Sequence, residues 1–125
     1  MNILLWVFQV FLAFQFGMGG VLHFTLPPDL PPTFAWIYDL SPGMHLFTGT
    51  VEIAAALGLI LPGLTKIQTR LTPLAAAGIV PLMIGAIAFH IPRGETQNAV
   101  MNLFALLVAA FVAYMRFKKL PLAQK

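Results

Sequence analysis

Apolar residues dominate four long stretches of the chain, and short polar or proline-containing segments separate them. Each stretch comes close to the roughly 20 residues that a helix rising about 1.5 Å per residue needs to cross a hydrocarbon core. Apolar and polar residues do not alternate within the stretches, so the pattern predicts helices and not the strands of a barrel. The predicted helices cover residues 2–24, 43–61, 71–91 and 97–117.

The longest connection, residues 25–42, is rich in proline and aromatic residues. Prolines interrupt regular helix at four positions, which are Pro27, Pro28, Pro31 and Pro32. Aromatic side chains of the kind that collect at the headgroup boundary follow them, namely Phe34, Trp36 and Tyr38. The segment is therefore expected to be a loop anchored at the membrane surface or, alternatively, a lid over a pocket.

Basic residues distinguish the two sides of the predicted bundle. Those that fall on the side of the termini and the middle connection are Lys66, Arg70, Arg116, Lys118, Lys119 and Lys125. Arg93 alone lies in the connection between the third and fourth helices. Because cytoplasmic loops carry an excess of Lys and Arg, both termini are predicted to be cytoplasmic, with residues 25–42 on the outside.

The composition agrees with an integral membrane protein. Of the 125 residues, 59% are hydrophobic and 9% are charged, whereas a soluble domain carries about a quarter charged residues. The net charge of +3 comes from basic residues at helix ends, so nucleic acid is not a predicted partner. The chain has no cysteine, which excludes disulfides, thiol chemistry and Cys-ligated metals.

One carboxyl group interrupts the second apolar stretch. Glu52 lies roughly 13 Å from the predicted outer end of its helix, close to the midplane of the bilayer. His45 and Thr48 share its helix face, since side chains three and four residues apart are neighbours. A charged carboxylate at this depth costs several kcal/mol, so a neutral Glu52 facing the bundle interior is expected.

The predicted topology brings other polar residues into the same outer half. His23 ends the first helix and His90 ends the third, both at the outer boundary. Asn98 and Asn102, four residues apart, descend from that boundary along one face of the fourth helix. Residues that are far apart in sequence are thus predicted to surround one pocket.

This arrangement suits proton exchange or the binding of a quinone. Glu52 would take up and release a proton, with His45 and His90 leading outward to water. The same groups would bind the oxygens of a quinone head. The full set of predicted ligand contacts is His45, Thr48, Glu52, His90, Asn98, Asn102, Phe16, Phe47 and Phe89, the three phenylalanines against the ring.

Two other interpretations stay open at this point. A metal ion is a weaker hypothesis, because no closely spaced ligand pair supports it; the candidate ligands are His23, His45 and His90. Alternatively, the polar residues only hold helices together, with Glu52 bonded to Asn102.

The sequence GTVEIAAALGLILPGL resembles the second-helix signature of DoxX-like membrane proteins, in which Gly-x-x-Glu precedes small residues and leucines. RLTPLAAAGIVPLMIGAIAFHIPRGE and NLFALLVAAFVAYMRF are similar to the third and fourth helices of that family. The resemblance implies a four-helix membrane bundle. It also implies a link to membrane redox or thiol-stress systems, since the family takes its name from a small subunit of an archaeal quinol-oxidising complex. Glu52, His90 and Asn102 match family positions, which implies a shared pocket.

We therefore predict an all-α, single-domain integral membrane protein, acting as a quinone- or quinol-linked subunit with Glu52 as the proton-exchanging residue. Without cysteine, a redox centre would belong to a partner subunit or to the ligand, so an oxidoreductase subunit is expected before an autonomous enzyme. The alternatives are an assembly or chaperone-like subunit and a proton-coupled transporter acting as a homo-oligomer. The expected location is the cytoplasmic membrane of a prokaryote.

Overall fold

The computed structural model describes residues 1–125 and contains helices and connections without strands. Its four long helices are α1, Asn2–Thr25; α2, Pro42–Thr65; α3, Leu71–His90; and α4, Thr96–Tyr114. A π-helical turn, Met115–Lys119, continues α4, and a 3₁₀ segment, Pro32–Asp39, lies in the connection between α1 and α2. Each long helix is long and apolar enough to cross a membrane. The predicted all-α class with four apolar helices is confirmed.

Helix α2 continues about one turn beyond its predicted end at residue 61, running through Pro62 to Thr65. Proline has no backbone N–H, so Pro62 leaves the carbonyl of Gly58 without its helical hydrogen bond. The hydroxyl of Thr72 in α3 donates to that carbonyl at 2.7 Å. This bond replaces the missing one and joins α2 to α3, which explains why the helix tolerates the proline.

Helices α1 and α2 form a hairpin whose backbones approach closely at two glycines. A Cβ added to Gly20 would lie 2.5 Å from Cγ1 of Ile53 and 3.0 Å from the carbonyl oxygen of Gly49. A Cβ added to Gly49 would lie 2.9 Å from the ring of Phe24. Small residues allow this approach, as helix packing in lipid requires. The pairing fixes the register of the two helices.

Helices α3 and α4 form the second hairpin, and the two hairpins enclose an apolar core. The largest core side chains are Leu5, Leu12, Phe16, Leu59 and Ile79. Edge-to-face ring contacts between Phe8 and Phe111 and between Phe11 and Phe104 join α1 to α4. Large apolar side chains also cover the outer faces of the helices, which suits contact with lipid.

The two ends of the bundle differ in chemistry. We call one the histidine end, because it holds His23, His45 and His90. The other is the basic end, which holds six of the seven Lys and Arg residues, namely Lys66, Arg70, Arg116, Lys118, Lys119 and Lys125. Helices α1 and α3 run toward the histidine end, and α2 and α4 run away from it.

Candidate functional site

His23, His45 and Glu52 meet between α1 and α2, in what we call the histidine–glutamate cluster. The Nδ1 atoms of His23 and His45 are 3.0 Å apart. The other ring nitrogen of His23, Nε2, lies 3.8 Å from Oε2 of Glu52. The three residues are 3%, 7% and 9% exposed. Three polar side chains thus form one buried line from the histidine end into the bundle.

The spacing of small and polar residues on the two helices positions this cluster. His45, Gly49 and Glu52 are all buried on one face of α2, at the three- and four-residue intervals that share a helix face. Across from them, Gly19 of α1 leaves room for the carboxyl, since a Cβ there would lie 2.7 Å from Oε2 of Glu52. Gly19 is therefore a site residue, although the sequence had not marked it as one.

The hydrogen-bonding of the cluster is incomplete at one atom. Only one hydrogen fits between the two Nδ1 atoms, so one imidazole donates and the other accepts. Because His23 presents its two nitrogens to different partners, it can accept a proton from His45 and release one toward Glu52. Oε2 of Glu52 is buried and has no hydrogen-bond partner. Since buried polar atoms are nearly always paired, this atom is the most unusual one of the cluster.

A pocket of about 350 Å³ opens beside the histidine pair. Its walls are His23, Phe24, Leu26, Tyr38, Leu40, Pro42, His45 and Leu46. The hydroxyl of Tyr38 is engaged by the carbonyl of Pro27. Both ring nitrogens of His23 face His45 and Glu52, so the imidazole of His45 is the polar side-chain group left for a ligand, against otherwise apolar walls.

The 3₁₀ segment lies over this end of the bundle and inserts Trp36 between the histidines. The Trp36 ring is 6.0 Å from the ring of His23 and 5.0 Å from that of His90, measured between centroids. Its Nε1 is buried without a hydrogen-bond partner, and the neighbouring Ile37 is fully buried. The proline-rich connection therefore packs on the cluster as a folded cover. Whether it moves as a lid stays a prediction.

His90 belongs to a separate ionic group. Its Nδ1 lies 2.9 Å from Oε1 of Glu95, which also accepts a 2.9 Å hydrogen bond from Nε of Arg93. The guanidinium of Arg93 also binds Asp39 at the end of the 3₁₀ segment. The hydrogen bond with His90, and then that with Arg93, lowers the pKa of Glu95 against a partial desolvation. Glu95 is thus ionised at neutral pH, and the group fastens the cover to the turn between α3 and α4.

The predicted amides and the hydroxyl do not join the cluster through hydrogen bonds. Thr48 and Asn98 are half-buried, and their side chains make no hydrogen bond. Nδ2 of Asn102 is buried without a partner, and no hydrogen bond joins it to Glu52. The hydrogen bond to Asn102 that would make Glu52 a purely structural link between helices is therefore absent.

The three predicted aromatic contacts lie in three different places. Phe16 is in the apolar core. Phe47 is 60% exposed on the outer face of α2 and does not line the pocket. Phe89 packs against His90 and Trp36 and lies under the guanidinium of Arg93. The structure does not place these rings around one ligand.

The three histidines likewise do not converge on one point. His23 and His45 face each other, while His90 lies beyond Trp36 and binds Glu95. No group of three His, Cys, Asp or Glu side chains is positioned to hold a metal ion. The geometry gives the metal hypothesis no support.

A second buried polar group lies at the basic end, and the part that Arg116 takes in it was not predicted. Arg116, which the sequence suggested only as a topology signal, is 2% exposed. Its Nε donates to Oε1 of Gln9 at 2.8 Å, and Gln9 in turn donates to the carbonyl of Leu59 at 2.7 Å. This chain of bonds ties α1, α2 and the end of α4 together. Burial of an arginine at the end of an apolar helix leaves no pattern that sequence reasoning could detect.

Comparison with known proteins supports the family resemblance. The model of the DoxX-like family matches residues 7–112, which include the whole histidine–glutamate cluster. No curated protein and no solved structure matches the chain.

Proposed function

The chain belongs to the DoxX-like family of membrane proteins, and from this premise we propose that it binds a lipid-soluble, proton-exchanging ligand of the quinone class at its histidine end. The observation that carries the proposal is the buried, unpartnered Oε2 of Glu52, 3.8 Å from His23. A fold selected only for packing would pair this atom or replace it. A proton-accepting group, by contrast, needs a free oxygen.

In this proposal, His45 contacts the ligand and His23 connects it to Glu52. His45 lines the pocket, and its Nε2 makes no hydrogen bond within the protein. A ligand oxygen bound there would exchange a proton with His45 while the His23 ring passes one to or from Glu52. The exposed side chains of Phe24 and Leu46 provide an apolar path for a lipid-like tail. This assignment keeps the predicted roles of Glu52 and His45 and gives His23 the relay role predicted for His90.

Electrons exchanged by such a ligand would pass to a partner protein. The chain has no cysteine for an iron–sulfur cluster. The protein would therefore act as the ligand-holding and proton-exchanging subunit of a membrane oxidoreductase system, and electron transfer would occur at a partner's redox centre.

We propose that the histidine end faces outward from a prokaryotic cytoplasmic membrane and the basic end faces the cytoplasm, because six of the seven basic residues lie at one end. Since the chain lacks cysteine, labelling of a single introduced cysteine shows on which side of the membrane that residue lies. In intact spheroplasts, a membrane-impermeant maleimide should label Thr33→Cys and should label Ile67→Cys only after lysis. The opposite labelling pattern would reverse the orientation.

The ligand proposal is tested by titrating the purified protein with decylubiquinone in a non-ionic detergent. The chain has two tryptophans, and Trp36 contacts the cluster while Trp6 lies at the basic end. In a Trp6→Phe background, fluorescence therefore reports on the histidine end. We expect saturable quenching, which His45→Phe should weaken about tenfold because one hydrogen bond to the ligand is lost.

The matched control is His90→Phe, the same substitution at a histidine that does not line the pocket. It should change the affinity by less than about twofold. Quenching that does not saturate, or that both substitutions weaken equally, would count against the site. Native mass spectrometry of protein released from its own membranes adds an independent check. A stable partner subunit with no small molecule retained would favour the assembly function instead.

A further inference from the structure

The guanidinium of Arg116 is buried without a negative partner. Its Nη1 donates to Oδ1 of Asn2 at 2.8 Å and to the carbonyl of Leu120 at 2.9 Å. Its Nη2 is buried and makes no hydrogen bond. Four acidic residues exist in the chain, namely Asp29, Asp39, Glu52 and Glu95, and all lie in the half toward the histidine end. A buried cation without a compensating charge is costly, so an anion at this position would stabilise the fold.

A pocket of about 370 Å³ adjoins this cation. Its walls are Asn2, Trp6, Gly63, Lys66, Leu120, Pro121, Leu122 and Ala123. Two of these residues accept the hydrogen bonds of Arg116, and the guanidinium lies 6.0 Å from the centre of the Trp6 ring. Arg116 therefore lies directly behind the pocket wall.

The pocket offers hydrogen-bond donors that suit an anion. Because Oδ1 of Asn2 is engaged by Arg116, its amide NH₂ is the group left for a ligand. Lys66 also lines the pocket, and its side chain can bring an ammonium group to a ligand there. Its backbone is fixed on both sides, since Lys66 N donates to the Pro62 carbonyl at 2.8 Å and Lys66 O accepts from Lys125 N at 2.9 Å. The donors and the buried charge stand beside the apolar surface of Trp6 and Leu122.

We propose that this pocket binds a phosphate group, with Lys66 and the Asn2 amide as direct contacts and the Arg116 charge behind them. Phosphate chemistry fits because a compact, multiply accepting anion can use several N–H donors at once. Such a group reaches the basic end either on a phospholipid, whose acyl chains would lie along the apolar wall, or as a free phosphate. The site is distinct from the pocket at the histidine end and does not depend on the ligand proposed there.

The test uses Trp6 as the reporter, in a Trp36→Phe background and a non-ionic detergent. Three probes separate the sources of the anion: dioctanoyl phosphatidylglycerol, dioctanoylglycerol with the same acyl chains but no phosphate, and inorganic phosphate. We expect a saturable change of Trp6 emission with phosphatidylglycerol and none with the diacylglycerol. A response to inorganic phosphate at similar affinity would identify the free ion as a sufficient ligand. The same titrations are repeated on the protein that keeps both tryptophans, with its melting temperature as the readout. They check that the Trp36→Phe substitution does not itself change binding.

Two variants and a control decide whether the pocket itself binds the phosphate. Lys66→Gln should weaken binding about tenfold, since a charge-assisted contact is lost. Lys118→Gln removes the same charge at the same end but outside the pocket, and should change affinity by less than about twofold. Asn2→Asp places a carboxylate against Arg116 and should abolish binding without lowering the melting temperature. Equal effects of Lys66→Gln and Lys118→Gln, or an equal response to the diacylglycerol, would overturn the proposal.

Discussion

Gln9→Leu should lower the free energy of unfolding by about 2–3 kcal/mol, whereas Glu52→Gln should change it by less than about 1 kcal/mol. The side-chain amide of Gln9 is fully buried. Its oxygen accepts a hydrogen bond from Arg116, and its NH₂ group donates one to the carbonyl of Leu59. Its removal leaves a buried charged donor unsatisfied. Glu52 has a free carboxyl oxygen instead, so replacing it breaks no hydrogen bond that holds the helices together.

The free energies of unfolding of both variants can be measured by titrating the protein in a mild detergent with a denaturing detergent. The matched control is Gln15→Leu, the same substitution on the same helix at a half-buried residue whose side chain makes no hydrogen bond. It should cost less than about 1 kcal/mol. If Glu52→Gln instead destabilises the protein as much as Gln9→Leu does, Glu52 is a packing residue and the proposed ligand site loses its basis.

The two variants separate two kinds of intramembrane polar residue that residue type and depth alone do not distinguish. Both Gln9 and Glu52 are polar residues within apolar stretches. Their surroundings on other helices distinguish them: Arg116 donates a hydrogen bond to Gln9, whereas the carboxyl of Glu52 lies 3.8 Å from His23 without a hydrogen bond. Residue type and depth indicate that such a residue has a role. Only its partners show whether that role is structural.

The helices themselves could be predicted well, because a bilayer allows few alternatives to continuous helix. Periodicity also predicted correctly that Glu52 and His45 share a buried face of α2. The same periodicity argues against Phe47, since two residues after His45 a helix has turned about 200°. Its exposure could therefore have been predicted from the sequence.

Other features depend on how the helices pack and were not accessible to sequence reasoning. The direct contact of His23 with His45 requires the register set by the glycines of α1 and α2. The separation of His90 from this pair depends on Trp36, whose connection the prolines indicated only as irregular. The sequence shows only the depth of each histidine in the predicted bundle, and not whether another side chain lies between them. The prediction therefore placed all three histidines together.

The three glycines of α1 allow a test that separates the site from the fold. Gly17, Gly19 and Gly20 are close in sequence, so alanine substitution has the same intrinsic effect on helix propensity at each. Their surroundings differ. A Cβ on Gly17 would meet Ala56 at an ordinary 3.6 Å. One on Gly20 would lie 2.5 Å from Ile53 and 3.0 Å from the backbone of Gly49, which cannot yield.

Gly20→Ala should therefore destabilise the protein by about 1–3 kcal/mol through separation of α1 from α2, and Gly17→Ala should not. Gly19→Ala is expected to behave differently from both. Its Cβ would lie 2.7 Å from Oε2 of Glu52, at the far end of a flexible side chain that can rotate away. The fold should survive with a loss of less than about 1 kcal/mol, while the carboxyl leaves its position beside His23.

If Glu52 exchanges protons with the ligand through His23, Gly19→Ala should impair proton uptake that accompanies chemical reduction of bound decylubiquinone, measured with a pH indicator dye. The expected loss is about tenfold or more in rate, since a carboxyl that has rotated away from His23 is no longer positioned to exchange a proton with it. Gly17→Ala should retain the wild-type rate. Normal uptake in Gly19→Ala, together with an intact fold, would mean that the position of the carboxyl is irrelevant, and the relay through His23 would then be excluded. Slow uptake in a stably folded Gly19→Ala would tie the function to the one buried oxygen that the fold leaves free.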